Sequence, residues 1–273
     1  MSGTANPAID QRWGAAALQA ALQPALPGLQ VQVLPEIDST NTELMRRARA
    51  GDSAPTLLVA EAQTAGRGRM GRPWQSASAQ GQAALAFSLS LPLAPHDWSG
   101  LSLAVGVALA EALHPDLRIK WPNDLWWQGR KLSGILIETA ATAAAAPGAQ
   151  RQVIIGIGIN LDAPGTEGLS TAPAWVREFL PTLDAPALLQ RVALPLIHTV
   201  LAFEREGFAP LQGRFAARDV LAGREVVLSD GLRGKALGVS TEGALRVRTD
   251  TGVREITSAE VSVRPAPAAE GAR

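Results

Sequence analysis

The chain has no cysteine and no tyrosine, and its 25 basic residues are matched by 25 acidic ones across 273 positions. Without cysteine there is no disulfide framework, no thiolate metal site and no cysteine nucleophile. Zero formal charge removes the global field that draws a protein to nucleic acid or to a membrane surface, so any anion site must be local. Only three histidines occur, His96, His114 and His198, too far apart in sequence to suggest a metal triad. Residues 1–10 lack the basic stretch and apolar run of a secretory leader, and no apolar stretch reaches the roughly twenty residues of a membrane span. These absences predict a soluble, cytoplasmic protein.

The length suits one large or two unequal domains. Residues 11–22 carry Trp13, Ala17, Leu18, Ala21 and Leu22 on one side of a short helix stopped by Pro24 and Pro27. Only about thirty residues precede the first strand candidate at 29–34, too few for a three-helix DNA-binding head. Strands are expected at 57–60, 83–91 and 117–120, with an apolar helix at 101–113. A hairpin over 125–138, turning at 128–130, and a strand at 153–161 follow. From 174 the pattern reads as helical, with a long helix at 187–203 kinked at Pro195 and a shorter one at 210–217. After 221, short strands at 224–228, 234–239, 244–249, 253–257 and 261–264 alternate with glycine turns, the texture of a small antiparallel barrel. The alanine-rich stretch 139–150 reads as a loose connection and the Pro/Ala end as a disordered tail. The expected organisation is a helical extension over 1–28, a large domain over 29–220, a barrel over 221–265 and a tail over 266–273.

Four stations carry chemistry. Ser39, Thr40 and Asn41 open a helix; Thr40 with Glu43 has the capping-box spacing, and Gly51 suits the far end. Capping uses one or two of these side chains, and three together also suit a neutral polar ligand. The strand at 57–60 delivers Gln63 and then the run Gly66 to Trp74, in which Gly66, Gly68 and Gly71 interleave with Arg67, Arg69 and Arg72. Close-approaching backbone alternating with guanidinium forks suits phosphate oxygens, although such a run by itself also fits a solvated basic loop. The glycines match a Gly-x-Gly-x-x-Gly dinucleotide fingerprint, but arginine spacers and Pro73-Trp74 where a helix should open argue against that fold.

The third station is Lys120-Trp121-Pro122-Asn123-Asp124, where the proline favours an extended turn that aims Lys120, Asn123 and Asp124 into one space. The fourth is the strand through Lys131. Simple alternation places Lys131, Ser133, Ile135 and Ile137 on one face and Leu132, Leu136 and Glu138 on the other, and Gly134 marks a close backbone approach. Gly156 and Gly158 strip one strand face before Asn160, either as a floor for a planar ligand or as room for a crossing helix. Two lysines, up to three arginines and one carboxylate suit a phosphate-bearing ligand with a divalent metal, and no Walker A loop is present.

The runs Gly66 to Arg72, Lys120 to Asp124, Lys131 to Glu138 and Gly156 to Asn160 closely resemble biotin–protein ligase, also called biotin–[acetyl-CoA-carboxylase] ligase, in order and spacing over residues 30–265. The resemblance implies an α+β fold: a mixed β-sheet packed on helices, like class II aminoacyl-tRNA synthetase catalytic domains, with a small C-terminal SH3-like barrel. It implies that biotin's carboxylate attacks the α-phosphate of ATP to give biotinyl-5′-AMP, which then acylates one lysine of a biotin carboxyl carrier protein. By the same resemblance Ser39, Thr40, Asn41, Gln63, Gly66, Arg67, Lys131 and Gly134 hold biotin. Arg69, Arg72, Trp74, Lys120, Asn123 and Asn160 hold ATP, with Trp74 stacked on adenine. Arg67, Arg69, Lys120 and Lys131 are the catalytic cations, and Asp124 is the candidate ligand of the Mg²⁺ that accompanies ATP. No tightly bound prosthetic group, no DNA and no membrane partner are expected, and a homodimer is left open. Met70 stands where many relatives carry a further basic residue.

Two rival readings are weighed. A lipoate–protein ligase or octanoyl transferase shares the scaffold, but a linear acyl chain makes no use of the polar cap or Gln63. A nucleic-acid-binding module is disfavoured by zero net charge and the lack of a basic stripe.

Overall fold

Residues 153–159 read Val-Ile-Ile-Gly-Ile-Gly-Ile, β-branched side chains that favour an extended backbone buried on both faces. In the computed structural model, which describes residues 7–74, 77–78, 81–140, 150–165, 171–257 and 263–265, they form the middle strand of a seven-stranded sheet. In chain order the elements begin with α1 (Pro7–Trp13), α2 (Ala15–Leu22), β1 (Gln30–Ile37), α3 (Thr40–Arg49) and β2 (Thr56–Gln63). A short ladder of β3 (Ala77–Ser78) and β4 (Gly81–Gln82) precedes β5 (Ala84–Leu93), α4 (Leu101–Leu113), β6 (Arg118–Lys120), β7 (Asp124–Trp127), β8 (Arg130–Ala140) and β9 (Arg151–Asn160). Then come α5 (Ala185–Glu206), α6 (Gln212–Ala216), β10 (Glu225–Leu228), β11 (Arg233–Val239), β12 (Leu245–Thr249), β13 (Gly252–Ile256) and β14 (Val263–Pro265).

The large sheet runs β1-β2-β5-β9-β8-β7-β6. Only the β1–β2 pair is parallel, so the sheet is mixed, as expected. One face carries Leu85, Phe87 and Leu89 of β5 and Val153, Ile155, Ile157 and Ile159 of β9 into the main core with α4 and α5. Burying each such side chain contributes about 1.5–3 kcal/mol. The opposite face receives α3, whose Leu44 and Met45 pack with Leu34, Leu58 and Ile154 in a smaller cluster.

Several expectations need correction. The N-terminal helix is split by Gly14, whose φ of 59° is left-handed, and Ala17 and Ala21 face solvent while Trp13, Ala15, Leu18 and Leu22 are buried. The indole N–H of Trp13 donates to Glu61 at 2.7 Å, tying this extension to the end of β2. The segment from 174 does not start as an α-helix: Lys131 N–H donates to Ala172 O and Lys131 O accepts from Ala174 N, which holds 172–174 extended along β8, and a 3₁₀ turn over Val176–Glu178 follows. A helix of that length begins only at Ala185, capped by Asp184, and it runs unbroken through Pro195.

α5, 22 residues long, is also long and apolar enough to cross a membrane by length and composition, its most apolar 18 residues having a mean hydropathy of 1.4, contrary to the expectation that no such stretch exists. Its Leu188, Val192, Leu196, Ile197, Val200 and Phe203 are buried in the main core. The C-terminal strands form a five-stranded antiparallel sheet, β13-β12-β11-β10-β14, consistent with the expected small barrel, although among the described residues its edge strands β13 and β14 do not pair to close it. Its Val226, Leu228, Ala236, Leu245 and Val247 extend the main core. The expectations for 141–149 and for the tail over 266–273 lie outside the described residues.

Glu111 of α4 accepts from Arg214 of α6 at 3.0 Å. That hydrogen bond, more than Arg214's charge, holds the Glu111 carboxyl below its usual range. A carboxylate with a depressed folded-state pKa contributes stability above its unfolded value, about 4.3, and loses it as pH falls through the folded value. Because both side chains are partly exposed, the contribution is about 0–1 kcal/mol. Glu111→Gln is therefore expected to lower the melting temperature by at most about 3 °C near neutrality, a difference that fades in acid; thermal melts at both pH values check it.

Candidate active site

A single register row crosses the face opposite the main core. Leu34 pairs with Ala60, Ala60 with Ala86, Ala86 with Gly158, Gly158 with Gly134, Gly134 with Asp124 and Asp124 with Lys120. Cross-strand partners project to the same side. Four small residues therefore make a floor that ends in a carboxylate and an ammonium group. Above it lies a pocket of about 580 Å³, within the range of small-molecule sites.

The fourth station reaches this row through a bulge. Leu125 pairs with Ser133 but Trp126 with Lys131, so Leu132 is an extra residue on β8. Regular alternation would send Lys131 and Gly134 to opposite faces. The bulge instead turns Leu132 into the core and puts Lys131 on the pocket side with Gly134, correcting the expected face assignment. Lys131 Nζ lies 2.8 Å from Asp124 Oδ1, an ion pair made outside good hydrogen-bonding angles. Lys120 Nζ sits 5.4 Å from the Trp126 ring centroid, within cation–π range. Asn123 locks the turn: its Nδ2 donates to Ile135 O at 2.9 Å and its carbonyl accepts from Ile135 N at 3.0 Å. The Trp121–Pro122 peptide in this turn is cis.

Lys131 is also held from behind. Its N–H donates to Ala172 O at 2.9 Å, its carbonyl accepts from Ala174 N at 2.8 Å, and Asn160 Nδ2 donates to Ala174 O at 2.9 Å and Lys131 O at 3.3 Å. Asn160 thus lines the pocket while its amide nitrogen is spent on backbone. Arg130 clamps the same strap through Pro173 O and the Glu178 carboxylate.

The arginine run folds into a small hairpin. Trp74 N donates to Gly66 O at 2.8 Å and Gly68 N to Arg72 O at 2.7 Å. A Cβ on Gly66 would come within 2.5 Å of Trp74 O, so the crossing admits only glycine there. Met70 and Gly71 form the tip with φ of 56° and 69°, and Met70 is 61% exposed. Arg67 points inward to Thr42 Oγ1 at 3.1 Å and Glu138 Oε2 at 3.0 Å. Burial pulls the Arg69 guanidinium below its ordinary value, Asp124 opposes that shift, and Arg72 adds to it. Trp74 covers the glycine floor: a Cβ on Gly158 would come within 2.2 Å of its ring. Its indole N–H is buried and meets no acceptor among the described residues.

At the polar end the helix cap is Ser39, not Thr40: Ser39 Oγ accepts from Thr42 N at 3.4 Å. That frees Thr40 for the pocket wall, where its N–H donates to Gln63 Oε1 at 2.9 Å. Asn41 fills the space over Gly156, where a Cβ would sit 2.1 Å from its Oδ1. Gly156 therefore makes room for a crossing helix, one of the two expected reasons, whereas Gly158 is covered by the protein's own Trp74 ring rather than by a ligand.

The pocket brings together every expected site residue except Gly66, which shapes the hairpin behind it. Ser88 and Glu138 escaped the sequence reading as site residues. Ser88 is fully buried beneath Thr40 and Asn41, and Glu138 receives both Asn41 and Arg67. The small-residue alternation Ala84, Ala86, Ser88 was the available signal. Among the described residues no three histidine, cysteine, aspartate or glutamate side chains converge as a metal cage. Asp124 is the carboxylate that lines the pocket, which fits a cation arriving with its own phosphate ligands.

Residues 33–160 match the Biotin/lipoate A/B protein ligase family, and residues 222–264 match the Biotin protein ligase C terminal domain. The chain is 37% identical to the bifunctional ligase/repressor BirA of Salmonella typhimurium, over 86% of this chain and 75% of that protein. It is 33% identical to the biotin–[acetyl-CoA-carboxylase] ligase of Paracoccus denitrificans, over 84% of this chain and 98% of that one. Its fold superposes with a TM-score of 0.72 and 30% identity on biotin protein ligase from Aquifex aeolicus in complex with biotin and ATP, covering 86% and 99% of the two chains.

Proposed function

The chain belongs to the biotin protein ligase family, and from that premise we propose how its own side chains divide the reaction. The activity is ATP-dependent formation of biotinyl-5′-AMP followed by transfer of biotin to a carboxyl carrier protein. In the first step a carboxylate oxygen of biotin bonds to the α-phosphorus of ATP as the bond to pyrophosphate breaks. In the second, a lysine amine of the carrier bonds to the acyl carbon, AMP leaves with the bridging oxygen, and the amine loses a proton. Both steps develop charge at phosphate oxygens, so positioned cations rather than a nucleophilic side chain carry catalysis.

The observation that carries this reading is the register row, with a neutral hydrogen-bonding wall at one end and Asp124, Lys120 and Lys131 at the other. Ser39, Thr40 and Gln63 would hold the ureido ring, which needs each buried donor and acceptor matched. The biotin carboxylate would then lie toward Lys131, whose backbone the 172–174 strap and Asn160 fix. Lys120 would face the α-phosphate, and Trp74 would present its indole to the nucleotide. Mg²⁺ brought by ATP would add charge neutralisation beside Asp124. ATP supply and the carrier substrate place the activity in the cytoplasm.

Arg67, Arg69 and Arg72 ride on the hairpin and would close over the acyl-adenylate. Arg69→Ala is expected to let intermediate escape about 10–150-fold faster, since a charge-assisted hydrogen bond is worth about 1.5–3 kcal/mol. The readout is biotinylation of bystander lysines on an unrelated protein; an unchanged level would remove Arg69 from that role. The reading as a whole is tested by incubating purified protein with ATP, a carrier domain and labelled biotin or lipoate. Carrier labelling by biotin is expected, and labelling by lipoate alone would reject it.

A further inference from the structure

Behind the polar wall runs a chain of hydrogen bonds with a fixed direction. Asn41 lies between two groups that only accept, Glu138 Oε2 at 2.9 Å and Leu136 O at 3.3 Å. Its amide nitrogen must face them, so its oxygen faces Ser88 Oγ at 2.6 Å. That oxygen can only accept, and Ser88 has one proton, which is therefore committed to Asn41. Ser88 Oγ is also 2.7 Å from Thr40 Oγ1. With its own proton spent, Ser88 can only accept there, and the proton in that contact must come from Thr40. Gln63 Oε1, 3.2 Å from the same hydroxyl, loses nothing, because the Thr40 amide N–H serves it at 2.9 Å.

We propose that Ser88 and Glu138, which do not line the pocket, are positioning residues that make Thr40 a hydrogen-bond acceptor toward the ligand. Thr40 lines the pocket, its hydroxyl proton points into the wall, and its remaining lone pair is what a ligand meets. The site therefore demands an N–H donor at that point. A urea satisfies the demand, whereas an ether or ester oxygen placed there sets two acceptors against each other, and a plain acyl chain leaves the lone pair unmet. Burial makes the mismatch costly, since an unsatisfied buried group forfeits its full desolvation cost. The inference rests on the reading of the pocket as a biotin site and adds to it the residues that fix the wall's polarity.

The test uses biotin and its two carbamate analogues, in each of which one ureido N–H is replaced by oxygen. The full chain should discriminate against one analogue by about 10² or more in kcat/KM, because sites built around a ligand N–H reject its absence strongly. Ser88→Ala removes the nearer acceptor of the Thr40 proton and leaves it only Gln63 Oε1 at 3.2 Å, so the hydroxyl can also turn outward, and the ratio should shrink at least tenfold without a change in the KM for ATP. Ser88→Thr, which keeps a hydroxyl, should restore the ratio. If Ser88→Ala fails to fold, the pair Glu138→Gln and Glu138→Met reads the same point: the first keeps the nearer acceptor for Asn41 and holds the ratio, the second leaves Asn41 only Leu136 O at 3.3 Å and lowers it. A ratio unmoved by Ser88→Ala, or equal in the two Glu138 variants, overturns the proposal while biotin turnover stands. Absence of turnover with biotin in the unaltered chain would instead reject the underlying reading.

Discussion

Lys131→Ala should slow adenylate formation by about 10²–10³-fold, measured as pyrophosphate release in a single turnover, with little change in melting temperature. One cation aimed at charge that develops only in the transition state is worth about 2.7–4 kcal/mol when the site is preorganised. The preorganisation is visible in the backbone: the bulge at Leu132 turns Lys131 to the pocket, and the strap at 172–174 with Asn160 holds its peptide in place. None of these bonds involves the side chain, so truncation leaves the scaffold intact. It also leaves Asp124 without the ammonium 2.8 Å away. Lys131→Arg is expected to rescue little, because a planar guanidinium presents its donors in a different geometry from a compact ammonium. Turnover within a factor of a few of normal would remove Lys131 from catalysis.

That expectation depends on features of unequal visibility in the sequence. The local runs were legible because their constraints are local: Gly66 and Gly71 need close approach or a left-handed φ, and Lys120 to Asp124 is a tight turn at a strand end. The register row was half legible, since Gly156, Gly158 and Gly134 announce a stripped surface but not which residues align across seven strands. The bulge at Leu132 was invisible, because one extra residue on β8 inverts the alternation without altering composition. Ser88 looked like an ordinary strand residue among leucines, and its role appears only when α3 is laid over β5. The same holds for the segment from 174, where apolar spacing resembled a helix, but pairing with Lys131 holds 172–174 extended and only a 3₁₀ turn at Val176–Glu178 precedes α5. The five C-terminal strands were recognisable from their glycine turns, but sheet closure depends on edge pairing that no local signal reports.

Gly158→Ala should cut kcat/KM for ATP by about 5–150-fold, the factor that corresponds to the 1–3 kcal/mol cost of overpacking. The added Cβ would come within 2.2–2.6 Å of three atoms of the Trp74 indole, and a rigid ring bound to its own backbone cannot yield as a flexible side chain does. Trp74 N is hydrogen-bonded to Gly66 O, so displacing the ring also shifts the hairpin that bears Arg67, Arg69 and Arg72. Trp74→Ala alone should raise the ATP requirement more than the biotin requirement, on the scale of an aromatic stacking contact, about 1–3 kcal/mol. Combining the two separates steric cause from lost contact. With the indole gone, the three atoms that crowd the new methyl group are gone too, so the double variant should be no worse than Trp74→Ala. Additive losses would mean that Gly158 is needed for some reason other than the ring lying on it, and a Trp74→Ala variant that weakens only biotin would place the indole against the other substrate.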